Sequence, residues 1–148
     1  MLNVTLITVG KLKEKYLKDA VAEYSKRLGK YISLNICELN DGPDMETEAA
    51  RILPHLKDDG YVVTLEIEGI ELDSPSFAKK IDELMTYGTS RIIFIIGGSN
   101  GLADSITDRA DLHLSFSKMT FPHQLMRVIF LEQLYRAFKI INREPYHK

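Results

Sequence analysis

The chain has 148 residues, 45% of them apolar and 27% charged, with a net charge of −2. That length fits one domain over residues 1–148 with a core that needs no staples, and the composition is that of an ordinary globular protein. One cysteine, Cys37, excludes an internal disulfide, and no stretch reaches the roughly 18 apolar residues of a membrane span. The start, MLNVTLITVGKLKEKY, lacks the plan of a secretory signal. Together these features point to the cytoplasm, with no membrane partner.

The elements follow in chain order. Residues 2–9, LNVTLITV, are β-branched and apolar and predict a strand ended by Gly10. Residues 14–29 carry Tyr16, Leu17, Ala20, Val21, Tyr24 and Leu28 at helical spacing, with Gly29 closing the helix. Residues 31–39 alternate as a second strand, in which Cys37 reads as a small core residue. After the turn NDGPD, residues 44–58 read as a helix, although Pro54 inside it breaks or kinks helices. Residues 61–67 form a third strand, and residues 75–87 a third helix with Ser74 as its cap and Pro75 in its first position. Residues 91–96 form a fourth strand, apolar on both faces as a central parallel strand requires. A short helix at 102–109, a fifth strand at 112–116 and a long helix at 122–142 complete the chain. Alternating strands and helices predict an α/β fold, a mainly parallel sheet with helices on both faces.

Charge is unevenly distributed. Residues 1–37 hold seven Lys and Arg against three acids, residues 38–83 four against thirteen, and residues 111–148 six against three. A nucleic-acid partner would therefore meet the two ends of the chain rather than its middle; ordinary surface charge gives the same counts.

Three stretches invite a functional reading. IIFIIGGSNGLADSI, residues 92–106, is strand, glycine turn and helix. Its G-G-x-x-G spacing matches neither the dinucleotide fingerprint nor the P-loop. The glycines permit positive φ and close backbone approach, which serves either a ligand or a tight structural turn. SFSKMTFPHQLMR, residues 115–127, offers hydroxyls and backbone beside the apolar walls Phe116, Met119 and Phe121. Such a slot holds a flat heterocycle, and a connecting loop with core aromatics has the same composition. The last helix is apolar round most of its circumference, from Leu125 and Met126 to Ile140 and Ile141. Burial on more than one side calls for a second subunit, or for a central place within one. The terminal Tyr146 and His147 lie where chain ends are usually frayed.

GGSNGL at 97–102, LSFSKMTFPHQLMR at 114–127, EQLYRAFKI at 132–140 and the terminal YHK resemble the ribosomal RNA large subunit methyltransferase H family, over the whole chain and without notable departure. The resemblance implies a SPOUT-type methyltransferase, a homodimer with a C-terminal trefoil knot. Nothing in the periodicity signals a knot. It implies S-adenosyl-L-methionine as cofactor and no metal. The family's cofactor contacts fall on Leu65, Gly97, Phe116, Ser117, Lys118, Met119, Thr120 and Phe121. The implied reaction is methylation of N3 of pseudouridine 1915 in helix 69 of 23S rRNA, within the assembled ribosome. His147 is then the candidate proton acceptor and Tyr146 a stacking or orienting residue, with Arg127, Arg136 and Arg143 as RNA contacts. A phosphate-free ligand would explain why the glycine turn lacks phosphate-cradle spacing. The rivals are a receiver-like binding module, disfavoured by lysines where an acidic cluster belongs, and a transfer-RNA methyltransferase, disfavoured by the lack of an added RNA-binding domain.

Overall fold

The computed structural model describes residues 1–56 and 59–148. Five strands form one parallel sheet: β1 (Leu2–Val9), β2 (Ile32–Leu39), β3 (Tyr61–Glu71), β4 (Arg91–Ile96) and β5 (Leu112–Ser115), in the order β2-β1-β4-β3-β5. The α/β fold expected from the alternation of elements is the one observed.

Helices cover both faces. On one lie α1 (Lys15–Leu28), α3 (Ser74–Thr86) and α5 (His123–Ile141). On the other lie α2 (Met45–Ile52), a 3-10 turn (Leu53–Leu56) and α4 (Asp104–Thr107). The two-residue period of a strand divides its side chains between two cores. Leu2, Val4, Leu6, Ile92, Phe94 and Ile96 face α1, α3 and α5, while Ile7, Val9, Ile93 and Ile95 face α2 and α4. Every β4 side chain from Ile92 to Ile96 is buried, which accounts for its unbroken apolar run.

Three local expectations need correction. The helix expected over 44–58 stops at Ile52 and tightens into the 3-10 turn that contains Pro54, whose missing N–H and ring bar a further α-helical turn; residues 57–58 of that expectation lie outside the described residues. The cap of α3 is Asp73, not Ser74: its carboxylate accepts the Ser76 N–H at 2.8 Å, and the Ser74 hydroxyl instead donates to Gln133. The third strand runs past Ile67 to Glu71.

That extension is irregular. Leu65 and Ile70 both register with Leu114 of β5, so residues 66–69 form an excursion from the ladder. Gly69 permits it, since a Cβ there would lie 2.7 Å from the His113 carbonyl oxygen. Bulges of this kind redirect side chains next to binding sites.

Candidate cofactor and substrate site

The carboxyl ends of β4, β3 and β5 open on a cavity of about 360 Å³. Open parallel sheets gather their ligands at this end. The β3 excursion supplies one wall through Leu65, Glu66, Ile67 and Glu68. The glycine turn supplies a second, and the loop after β5 a third.

The turn itself is tight. Gly101 N–H donates to the Gly98 carbonyl at 3.0 Å, and the two residues form an antiparallel bridge. Gly101 has φ of 79°, in the region that glycine alone enters readily. The helix after it has only four residues, Asp104–Thr107, and begins with an acid, so no phosphate cradle follows. The two meanings left open for these glycines coincide: one tight turn is also a cavity wall.

In the third wall, Phe116 packs edge-on against Phe77 and tilted against Phe130, both centroids at 6.1 Å, which anchors it to the core. The Ser117 carbonyl accepts from Ser115 Oγ at 3.0 Å, and Ser117 Oγ accepts from the Met119 N–H at 2.9 Å. These bonds shape the loop locally. Pro122 caps α5, and its carbonyl accepts the Met126 N–H at 2.9 Å.

Of the eight residues expected at the cofactor, Leu65, Gly97, Phe116, Ser117, Met119, Thr120 and Phe121 line this cavity. Lys118 does not; it is exposed on the loop. Glu66 and His123 also line the cavity, and sequence reasoning missed both. Strand alternation signals that Glu66 shares a face with Thr64, but the excursion that turns it inward leaves no such signal.

The terminal pair lies elsewhere. Tyr146 donates its hydroxyl to Glu132 Oε2 at 2.7 Å, packs edge-on against Tyr135 at 5.0 Å, and lies under the Arg136 guanidinium at 4.7 Å. Burial, with the Glu132 bond, pushes its phenol up to about 12. His147 Nδ1 lies 3.1 Å from Arg136 Nη1. Neither residue lines the cavity of its own chain. Glu132 and Arg136 stand six and ten residues beyond Met126 on α5, roughly 9 and 15 Å along the axis.

The three arginines separate. Arg127 is only 2% exposed, and its two terminal nitrogens donate within the chain, to Glu38, Val9 and Gly10. It is corrected here from an RNA contact to a buried clamp. Arg136 is half-buried, tied to Glu132 at 2.8 Å, and beside His147. Arg143 is exposed just beyond α5. Cys37 is half-buried beside the second core, 3.8 Å from His55 Nε2, and burial pushes its thiol up, away from reactive thiolate.

Among the described residues no helix is long and apolar enough to cross a membrane. Among them, too, no group of three or more His, Cys, Asp or Glu side chains is placed to hold a metal ion.

The fold matches a solved structure, a probable methylase family protein from Haemophilus influenzae Rd KW20, with a TM-score of 0.59 and 14% identity over 99% of this chain and 70% of the other. A family model described as "Predicted SPOUT methyltransferase" matches residues 2–147. Ribosomal RNA large subunit methyltransferase H of Bifidobacterium adolescentis is 56% identical, and that of Clostridium acetobutylicum 54%, each over 99% of this chain and all of the relative. With the cavity, the glycine turn and the loop after β5 all formed by matched residues, the chain belongs to the ribosomal RNA large subunit methyltransferase H family of SPOUT methyltransferases.

Proposed function

We propose that this chain acts as a homodimer in the cytoplasm and transfers a methyl group from S-adenosyl-L-methionine to N3 of pseudouridine 1915 in helix 69 of 23S rRNA, in the assembled ribosome. The observation that carries the reading is the convergence of seven family cofactor positions on one cavity at the carboxyl ends of β4, β3 and β5.

The cavity suits that cofactor. Its volume falls within the range of small-molecule sites, and its walls pair apolar side chains with a few polar groups. Leu65, Ile96 and Phe116 offer apolar faces for an adenine ring, and Gly97 leaves backbone close at hand. Glu66 and Glu68 add two carboxylates to the lining of a cavity for a ligand that carries positive charge. Three glycines in the turn and no lysine suit an adenosyl group without phosphates.

When bound, the cofactor supplies a methyl group on an activated sulfonium. Methylation at N3 would displace the proton carried there, which a base would have to take up. The protein's part is to align the two reactants and to receive or relay that proton. Tyr146 and His147 serve this role in the cavity of the other subunit, because their own cavity lies back along α5. Arg136 braces both. Lys118 and Arg143, both exposed, meet RNA phosphates.

Self-association has its own support. The buried stripe of α5 is Met126, Phe130, Leu131, Leu134, Ala137 and Phe138, yet Leu125, Val128 and Ile129 remain partly open. Ile67 at 43% and Met119 at 74% exposure add apolar surface at the cavity. Apolar side chains gathered at a site mark a contact surface.

The test is transfer of labelled methyl to ribosomes that lack this methylation. Strong labelling is expected, with little on ribosomes that also lack the helix 69 pseudouridines. Equal labelling of both would overturn the assignment of the modified base.

A further inference from the structure

Glu66 is held more firmly than any other side chain of the β3 excursion. Its Oε2 accepts from Thr64 Oγ1 at 2.6 Å, and His113 Nδ1 sits against the same oxygen. An ionised carboxylate only accepts, so both neighbours are donors, and His113 carries its proton on Nδ1. Thr64 is fully buried, which gives this arrangement a rigid base. Oε1 takes no partner among the described residues. Glu68, on the same wall, is exposed and has no comparable support.

The outcome is a carboxylate fixed through one oxygen, with two lone pairs available on the other, beside a cavity built for an adenosyl ligand. Tying β3 to β5 does not by itself need a carboxylate, since a glutamine oxygen accepts the same two donors. A free, oriented carboxylate oxygen is instead the acceptor that matches the vicinal diol of a ribose. Carboxylates fill that role in dinucleotide sites. We infer that Glu66, set in place by Thr64 and His113, accepts hydrogen bonds from the ribose hydroxyls of the bound adenosyl cofactor. Glu66 is thus a cofactor-binding residue, and Thr64 and His113 are positioning residues. The inference rests on the cofactor reading proposed above.

The experiment is calorimetric titration of the full chain with S-adenosylhomocysteine and with its 2′,3′-dideoxy counterpart. Wild type should bind the diol form about ten- to a hundredfold more tightly, the loss expected for hydrogen bonds to a charged group. Glu66→Gln keeps an oxygen for Thr64 and His113 but turns an N–H₂ toward the ligand. It should weaken the diol form about tenfold or more, leave the dideoxy form within twofold, and melt at the wild-type temperature. Should that variant fail to fold, His113→Ala, at an exposed position, is expected to give the same selective loss at smaller size. Equal weakening of both ligands would overturn the inference, because it would place Glu66 on the amino-acid part of the ligand or in a structural role only. Failure of wild type to bind either ligand would instead overturn the cofactor reading itself.

Discussion

The Arg127 guanidinium meets the Glu38 carboxylate at 2.7 Å and, through its other terminal nitrogen, the Gly10 carbonyl at 2.6 Å. One buried side chain on α5 thereby ties together the carboxyl ends of β1 and β2. Burial pushes the guanidinium below its ordinary value, and Glu38 opposes that shift. The planar fork satisfies a carboxylate and two carbonyls at once, which a lysine cannot do. Arg127→Ala should cost about 3 kcal/mol, since removing one partner strands the other groups. For a chain of this size that lowers Tm by roughly 10 °C. Arg127→Lys should recover only part of the loss. Thermal unfolding measures both, and a wild-type Tm for the alanine variant would refute the clamp.

Gly69 governs the wall that carries Glu66. A Cβ there meets backbone at 2.7 Å, from the His113 oxygen, and backbone cannot rotate out of the way as a side-chain tip can. Gly69→Ala should push the excursion off β5, with about 1–3 kcal/mol of strain, the usual cost of overpacking. The expected signature is a lower Tm together with weaker binding of S-adenosylhomocysteine. Wild-type affinity in a folded Gly69→Ala protein would show that the excursion does not shape the cavity.

The sequence made the alternation of elements plain because burial follows simple periods. The run Arg91–Ile96 reads as a central strand, and it is one. The loop 116–121 was legible through its motif, and the structure brings all of it except Lys118 to the cavity. What periodicity could not convey depends on contacts distant in sequence. Glu38 lies 89 residues from Arg127, so nothing local to Arg127 distinguishes a clamp from a surface cation. Glu66 becomes a cavity residue only because β3 shifts register against Leu114. Asp73 and Ser74 are both good caps, and choosing between them takes the partner Gln133, 59 residues beyond Ser74.

Two capping carboxylates predict how the protein responds to acid. Ser76, through its hydroxyl and its amide, holds Asp73 below the usual aspartate range, and the Thr47 amide does the same for Asp44. Both groups are depressed in the folded state. Their stabilisation is therefore fully present above the unfolded value of about 3.9 and is lost as pH falls through the lower folded values. Asparagine caps a helix as well as aspartate without titrating. The double variant Asp44→Asn, Asp73→Asn should match wild-type Tm at pH 7 and lose less stability between pH 5 and pH 3. An unchanged acid slope in thermal melts would show that other carboxylates set it.

The position of the tail makes the final prediction. Tyr146 and His147 pack on Glu132 and Arg136, away from the cavity of their own chain, whereas His123 lines that cavity. If the tail serves the partner's cavity, a subunit cut before Tyr146 keeps a competent cofactor site that only another subunit's tail can complete. A subunit with Gly97→Arg has the reverse defect: an intact tail and a blocked cavity. Each homodimer should be inactive, and mixed dimers of the two should recover up to about half of the activity, from the one composite site. His147→Ala should lower methyl transfer to ribosomes about 10²- to 10⁴-fold, as expected for loss of a general base. His123→Ala should act mainly through cofactor affinity. Wholly inactive mixed dimers would return the tail to its own subunit. A large loss of turnover in His123→Ala, with His147→Ala near wild type, would move the proton-accepting role to His123.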